Sequence, residues 1–588
     1  ENCRDSLHHP RQLKALSVQQ LQQPHQQMCR RHRKIRIVFL FLALFFCVPG
    51  QSAPREGGAI VISSSSIPKS FNPIVAKETS TTFITGFIFE GLTTTDGITQ
   101  QVKPNLAVSW NVDNTGKIWT FYLRKDVYWN DGVQFTAKDV KFTFDRLIFN
   151  PDIPTSSRDV LSINDKPIRV EVVDKFVVRF VLPEKFAPFL RLMGQEILPE
   201  HKYKETVDRK AFSFAMGLNS RPDDIVGTGP FMLEDFRPGE WVILKKNKRY
   251  WKKDSQGNSL PYLDRIIILT IPDQNLALLK FKKGELDMIS LRPQDYLLLM
   301  GEKPPDVKIF NVGPSLSSEF IVFNQNLDSN IPEHKKQWFR NVNFRRAVSC
   351  AIDRQTIINN IFAGLGHPLY GPINESVPEF YNDRIRKFHY NLKEAEMYLV
   401  EAGFRRGGDG FLYDSNGNQV SFSLITNSNN SQRIEQANLI RTDLEKLGIR
   451  VNFLPVDFNS LVTRINSTKD WEAVILGLTG SIDPHFGKNV WITTGHLHLW
   501  NLGSPASFYP WEKEVDRIFE EAAGTFEPKK RKQLYDRWQE IFCENQPMIF
   551  TATSDVIYAV RDKFGNLKPT VYGGLFHNIE EIYIVKKR

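Results

Sequence analysis

The sequence predicts a mixed α/β protein folded as more than one lobe, and three observations lead there. The chain has 588 residues, beyond the size at which one hydrophobic core keeps growing. From Gly58 onward, short β-rich runs alternate with turn signals. Further along, the pattern changes to helix followed by strand, the unit from which helix-covered sheets are built.

Taken in order, Ala59 to Ile62 reads as a buried strand. Trp119 to Leu123 and Val177 to Leu182 read as half-exposed strands, with Asn114-Thr115-Gly116-Lys117 as a hairpin turn. Thr136 is an N-cap with Asp139 three residues on, an acidic capping box that opens a helix from Ala137 to Leu147. Phe344, Ala347, Val348, Ala351 and Ile352 share one helical face, which leaves Arg345 and Arg346 pointing outward. Leu412 to Val420 reads as a hairpin around Asn416-Gly417. Its D-x-N-G-N string lacks the acid that closes a calcium loop. Gln432 to Leu447 sets Ile434, Ala437, Ile440 and Leu444 on one face, stops at Gly448, and leads into a strand from Ile449 to Val456.

Met28 to Ala53 has the layout of a secretory signal peptide, with Arg30, Arg31, Arg33, Lys34 and Arg36 followed by an apolar run from Ile37 to Val48. That run is shorter than the roughly 20 residues a membrane span needs, so cleavage near Ala53 and a periplasmic or extracellular location are expected. Cys47 lacks the small neighbours of a lipid-attachment site. Residues 1 to 27, rich in Gln and His, read as upstream translation or an unstructured tail, with the true start at Met28.

The leader changes the charge argument. The whole chain carries +10, but residues 1 to 53 hold eight lysines and arginines against Glu1 and Asp5, so most of the excess leaves with them. No basic run with interleaved aromatics remains, so nucleic acid is not an expected partner. Cys350 and Cys543 are the cysteines left, and both read as small buried hydrophobes. Catalytic and nucleotide motifs are missing: there is no G-x-S-x-G, H-E-x-x-H, Walker loop or C-x-x-C. His485, His496 and His498 form the sole candidate metal cluster, and with no acidic or thiolate partner nearby they read as packing. No cofactor is expected.

Three blocks carry a resemblance. Phe87 to Leu147 contains F-E-G-L, P-N-L-A-V-S-W and W-N-D-G-V-Q-F-T-A-K-D-V. Gly227-Thr228-Gly229-Pro230-Phe231 leads to Tyr250-Trp251, and Phe339 to Arg354 contains F-R-R-A-V-S-C-A-I-D-R. Together they resemble the extracellular solute-binding proteins of family 5, which serve peptide and nickel ABC importers. The resemblance implies a two-lobed periplasmic-binding-protein-like fold with a hinged interlobe cleft. The first lobe would comprise residues 54–313, with an inserted subdomain at about 97–214. The second would comprise 314–552, and 553–588 would return to the first. It also implies a non-enzymatic monomer that captures a solute and delivers it to ABC permease subunits.

Ligand positions follow where segments match. Phe71, Asn72, Thr81 and Thr82 correspond to an early cleft-lining stretch of dipeptide-binding relatives. Thr479, Gly480 and Ser481 correspond to a loop whose aspartate holds the peptide amino terminus. Serine replaces that aspartate here, with Asp483 two residues later. Asn427 occupies the place of the arginine that holds the carboxylate, and no arginine follows until Arg433. With both charge clamps for a free dipeptide missing, the expected ligand is an oligopeptide held through its backbone, with Trp491 and Trp500 flooring side-chain pockets. The alternatives are a nickel chelate or opine-type solute, for which the histidines would matter, and a secreted hydrolase using Ser481, which lacks a recognisable base.

Overall fold

The structure is a computed structural model that describes residues 56–163 and 166–585. The segment read as leader and signal peptide lies outside the described residues. So does the cleavage position near Ala53.

Four main sheets organise the chain. In the first lobe, Ala59–Ser64 pairs in parallel with Arg265–Thr270, and Trp241–Lys246 and Phe231–Arg237 follow antiparallel. A second sheet in this lobe is built on Ala552–Arg561, which receives Met288–Ser290, Val307–Pro314 and Gly366–Pro368. Residues 107–181 make a separate antiparallel sheet in the order Ala107–Val112, Ile118–Leu123, Val177–Val181, Arg169–Asp174. Its inner residues Phe121, Val178 and Phe180 share one core with the first sheet.

The second lobe is built on a five-stranded sheet ordered Arg450–Val456, Ser421–Asn427, Ala473–Leu478, Ser318–Phe323, Met548–Phe550. Both of its faces are buried, and the two-residue period of a strand divides the side chains between them. Phe320, Val322, Ile425 and Val474 enter one core with the helices Pro510–Gly524 and Pro528–Asn545. Ile321, Phe323, Leu424 and Ile475 enter the other with the helices Val342–Ala351 and Ser431–Lys446. The chain runs directly between the sheet on Ala552–Arg561 and this five-stranded sheet at residues 314–318 and 550–552, and between those points Gly366–Pro368 returns to pair on Ala552–Arg561.

Local chemistry accounts for most element boundaries. Asn430 caps the Ser431–Lys446 helix by accepting the Arg433 N–H at 3.0 Å. The capping box at Thr136 forms, with Asp139 accepting the Thr136 N–H at 2.8 Å. The helix it opens turns regularly only through Lys141 and continues to Ile148 in wider π-type turns that bury Phe142, Phe144 and Leu147. The hairpin at Asn416-Gly417 is present, with Asp414 accepting the Asn416 and Asn418 N–H groups.

One orientation differs from expectation. Arg345 is buried, and its guanidinium donates to the carbonyls of Phe339, Asn545 and Gln546. The last two close the C-terminus of the Pro528–Asn545 helix, where unsatisfied carbonyls and the helix dipole attract a cation. Cys350 and Cys543 are buried thiols that do not pair.

Candidate functional site

The strands Ser421–Asn427 and Ala473–Leu478 lie side by side in parallel, and their C-terminal ends open toward the first lobe. In α/β folds that edge is where a crevice forms. Here it borders a cleft of about 2530 Å³ whose other wall comes from the first lobe, including Ser65, Phe83 and Glu90.

The lobes touch through two separate sets of residues. In one, Asn429 Nδ2 donates to Ser65 O at 2.9 Å and Ser66 Oγ at 2.8 Å, while Ser431 donates twice to Gln274 Oε1. In the other, His496 Nδ1 lies 2.7 Å from Asp159 Oδ2, His485 Nε2 lies 3.1 Å from Val160 O, and Lys488 Nζ donates to Ser162 O at 3.3 Å. Two separate sets of hydrogen bonds therefore join the walls of the cleft.

Several expected residues do line the cleft: Asn427, Thr479, Gly480, Ser481, Asp483 and Trp491. Asn427 is buried, and its amide is already engaged by Arg433 Nη1 at 2.9 Å and by Asn429 Oδ1 at 2.5 Å. Gly480 has φ of +70°, and a Cβ there would lie 2.0 Å from Leu316 O in the first crossing segment. The loop can run against the crossing only because this residue is glycine. Ser481 Oγ accepts the Asp483 N–H at 3.4 Å. Trp491 is buried against Trp538 and Phe542, with ring centroids 5.1 and 5.3 Å away.

Asp483 does not stand ready for a ligand ammonium. Its two oxygens accept from Arg531 Nη1 and Nη2 at 2.8 Å each, and Oδ1 also accepts the His485 N–H at 3.0 Å. Burial alone would raise its carboxyl pKa, but the Arg531 hydrogen bonds and charge outweigh burial and hold it below the usual range.

Other expectations are corrected. Phe71 is fully buried edge-on to Phe236, and Asn72 spends its amide on Phe212 O and Ala215 O. Thr81 is buried and accepts the Lys69 N–H, while Thr82 turns its hydroxyl back to Thr79 O. Neither threonine borders the cleft, because the Thr79–Thr85 helix points Thr79, Ser80 and Phe83 at it instead. Trp500 is fully buried, with its indole N–H on Glu512 Oε1 at 2.5 Å.

The three histidines diverge. His485 is buried and its pKa is pushed down to about 3 by burial, so it is neutral. His498 sits between Val490 O and Glu512, and His496 is half-exposed on Asp159. Among the described residues no group of three or more His, Cys, Asp or Glu is placed to hold a metal ion.

Sequence reasoning missed two features of the walls. Arg433 reaches back along the edge of the cleft to ion-pair with Glu319 at 3.0 Å. Glu90, in the first wall, accepts from the Trp251 indole at 3.1 Å and the Tyr250 hydroxyl at 3.4 Å. Burial pushes its carboxyl up to about 7.

Comparison with known proteins places this architecture. A family model for bacterial extracellular solute-binding proteins, family 5, matches residues 101–495. A probable ABC transporter-binding protein of Deinococcus radiodurans is 31% identical, over 79% of this chain and 82% of its own. The oligopeptide-binding protein AppA of Bacillus subtilis is 27% identical over 84% of this chain and 86% of its own. The solved structure of AppA with a nonapeptide superposes with a TM-score of 0.77 at 26% identity, covering 91% of this chain and 100% of that one. A Helicobacter pylori binding protein, DppA, solved with the peptide STSA, has the same fold at a TM-score of 0.76 and 24% identity, covering 90% of this chain and 99% of that one. Among the described residues no helix is long and apolar enough to cross a membrane. The chain belongs to the bacterial extracellular solute-binding proteins of family 5.

Proposed function

We propose that this protein is the extracytoplasmic substrate-binding component of an ABC importer, that it captures oligopeptides in the interlobe cleft, and that it delivers them to the permease. The observation that carries the reading is the size of the cleft, about 2530 Å³, against roughly 300–1,000 Å³ for pockets that take a single small molecule. A similar relative, AppA, is named for oligopeptides and was solved around a nonapeptide.

Binding would work through closure. A ligand touching both walls stabilises the closed arrangement over the open one by the difference in its contacts, and the permease would read that state. With Asp483 neutralised by Arg531 and Asn427 in place of a cation, the ends of a dipeptide meet no matching ionic pair at these positions. A longer chain gains affinity along its backbone and side chains instead. No bond is made or broken in this cycle. Ser481, the nucleophile a hydrolase would use, hydrogen-bonds the N–H of an aspartate that is itself ion-paired.

Calorimetry with alanine peptides of two to five residues tests the proposal. Binding should strengthen from dipeptide to tetra- or pentapeptide. Dipeptides binding more tightly than longer peptides would overturn it, and so would stabilisation by nickel chelates with no response to peptide.

A further inference from the structure

We propose that Glu90 forms a cation subsite of the cleft, taking a ligand group that carries positive charge on N–H donors, a primary ammonium or a guanidinium. The inference rests on the oligopeptide reading only for the form of the ligand, a basic side chain on a peptide.

The backbone around Glu90 is fixed. Its carbonyl accepts the Ile197 N–H at 2.9 Å, and the following Gly91 packs so closely that a Cβ would lie 2.4 Å from the Gly194 backbone. The half-buried side chain then reaches the cleft beside Tyr250, Trp251 and Lys252. Its neutral donors are Trp251 Nε1 at 3.1 Å on Oε2 and the Tyr250 hydroxyl at 3.4 Å on Oε1, with the Thr228 hydroxyl also bearing on the carboxylate. A carboxylate offers about four acceptor positions, so capacity remains for donors arriving from the cleft.

What Glu90 lacks is a counter-charge. Lys252 is a cation whose charge is felt at Glu90, and it is ion-paired to Glu580. Glu580 adds its own negative field at Glu90. Arg124 lies 3.8 Å from the centre of the Trp251 ring, with the indole rather than the carboxylate as its partner. Among the described residues Glu90 takes part in no ion pair. A carboxylate enclosed by protein without a cation is costly in its charged form. The outcome here is a carboxyl that is about half protonated near pH 7. A ligand ammonium or guanidinium would satisfy the open positions and hold it ionised.

The test walks one lysine through the four positions of tetra-alanine and compares each peptide with its norleucine counterpart, which has a similar apolar stem and no charge. Agmatine, which carries both cation types without a peptide, is added in thermal unfolding. At pH 8, where Glu90 is mostly ionised, lysine should bind at least tenfold more tightly than norleucine at one position. That preference should shrink severalfold at pH 6 and fall within twofold in Glu90→Gln, whereas Glu90→Asp should retain part of it. Agmatine should raise the unfolding temperature of the wild type and not of Glu90→Gln.

Tetrapeptides that bind with no lysine preference would overturn the subsite while leaving the oligopeptide reading intact. So would a preference that survives in Glu90→Gln. Stabilisation by agmatine through Glu90 without binding of any peptide would support the subsite and overturn the oligopeptide reading. A response to neither would overturn both. The pH dependence is measured on the wild type, so the inference stays open to refutation even if a variant folds poorly.

Discussion

Replacing Asp483 with asparagine should unfold the protein more readily, with no selective effect on the recognition of a ligand amino terminus. Asp483 and Arg531 have side-chain exposures of 12% and 10%, and two parallel bonds of 2.8 Å join them. The asparagine amide could still accept one hydrogen bond, but it would leave the guanidinium buried without an anion. Removing one partner of a buried pair costs about 3–5 kcal/mol, and Arg531→Met should cost a similar amount by stranding the carboxylate. The double variant should recover part of the loss, giving a coupling energy of at least about 1.5 kcal/mol. Urea unfolding followed by tryptophan fluorescence reads this directly, since Trp491 and Trp538 share the core beside the pair. The folded carboxyl sits below its ordinary value of about 3.9, so its contribution is present above that pH and is lost as pH falls through the folded value. The penalty of Asp483→Asn should therefore be full at pH 7 and shrink in strong acid. A stability loss under about 1 kcal/mol, joined to weaker binding of free but not N-acetylated tetrapeptides, would refute this reasoning and restore Asp483 as a ligand clamp.

Three further outcomes are expected. His485 has a folded pKa of about 3 against about 6.5 unfolded, so the unfolded chain takes up its proton first. Stability should be full above pH 6.5 and fall as pH drops toward 3, and His485→Gln should flatten that part of a denaturation-against-pH series. Gly480→Ala should destabilise by about 2 kcal/mol or more, because a left-handed backbone strains alanine by roughly 1–2 kcal/mol and its Cβ would strike Leu316 O; an unchanged urea midpoint would count against the tight loop. Intact mass of the exported protein should match a start near Ala53 or Pro54, and recovery of a product that keeps Ile37 to Val48 would defeat the signal-peptide reading.

Features that depend on a few neighbouring residues were legible in the sequence. The Asn416-Gly417 hairpin, the Thr136 capping box and the apolar face of the Ser431–Lys446 helix follow from spacing and turn chemistry. Failures came where distance along the chain hides the partner. Asp483 meets Arg531 across 48 residues, and Glu90 meets Trp251 across 161. Arg345 looked like a surface cation because the helix end that consumes it is 200 residues away. The error at Thr81 and Thr82 was one of phase. Each residue turns a helix by about 100°, so a shift of two positions from Thr79 carries Thr81 from the cleft into the core, while Thr82 stays part-exposed with its hydroxyl on Thr79 O. Trp500 failed for a different reason: an indole can serve as wall or as core, and its choice depends on Glu512, whose buried carboxylate offers the N–H a partner.

The late position of Ala552–Arg561 in the chain also sets an order of assembly on the ribosome. Although Gly366–Pro368 leaves the second-lobe stretch to pair on Ala552–Arg561, the five-stranded sheet of the second lobe is complete once Met548–Phe550 has emerged. The first lobe is not, because Ala552–Arg561, the strand on which three earlier strands pair, is made only afterwards. Met288–Ser290 and Val307–Pro314 must therefore wait, with their pairing edges unfilled, while the whole second lobe is synthesised. At roughly 5–20 residues per second the wait lasts on the order of ten seconds or more. A chain stopped just short of Ala552 thus holds a complete five-stranded sheet while the three strands that pair on Ala552–Arg561 still lack their partner.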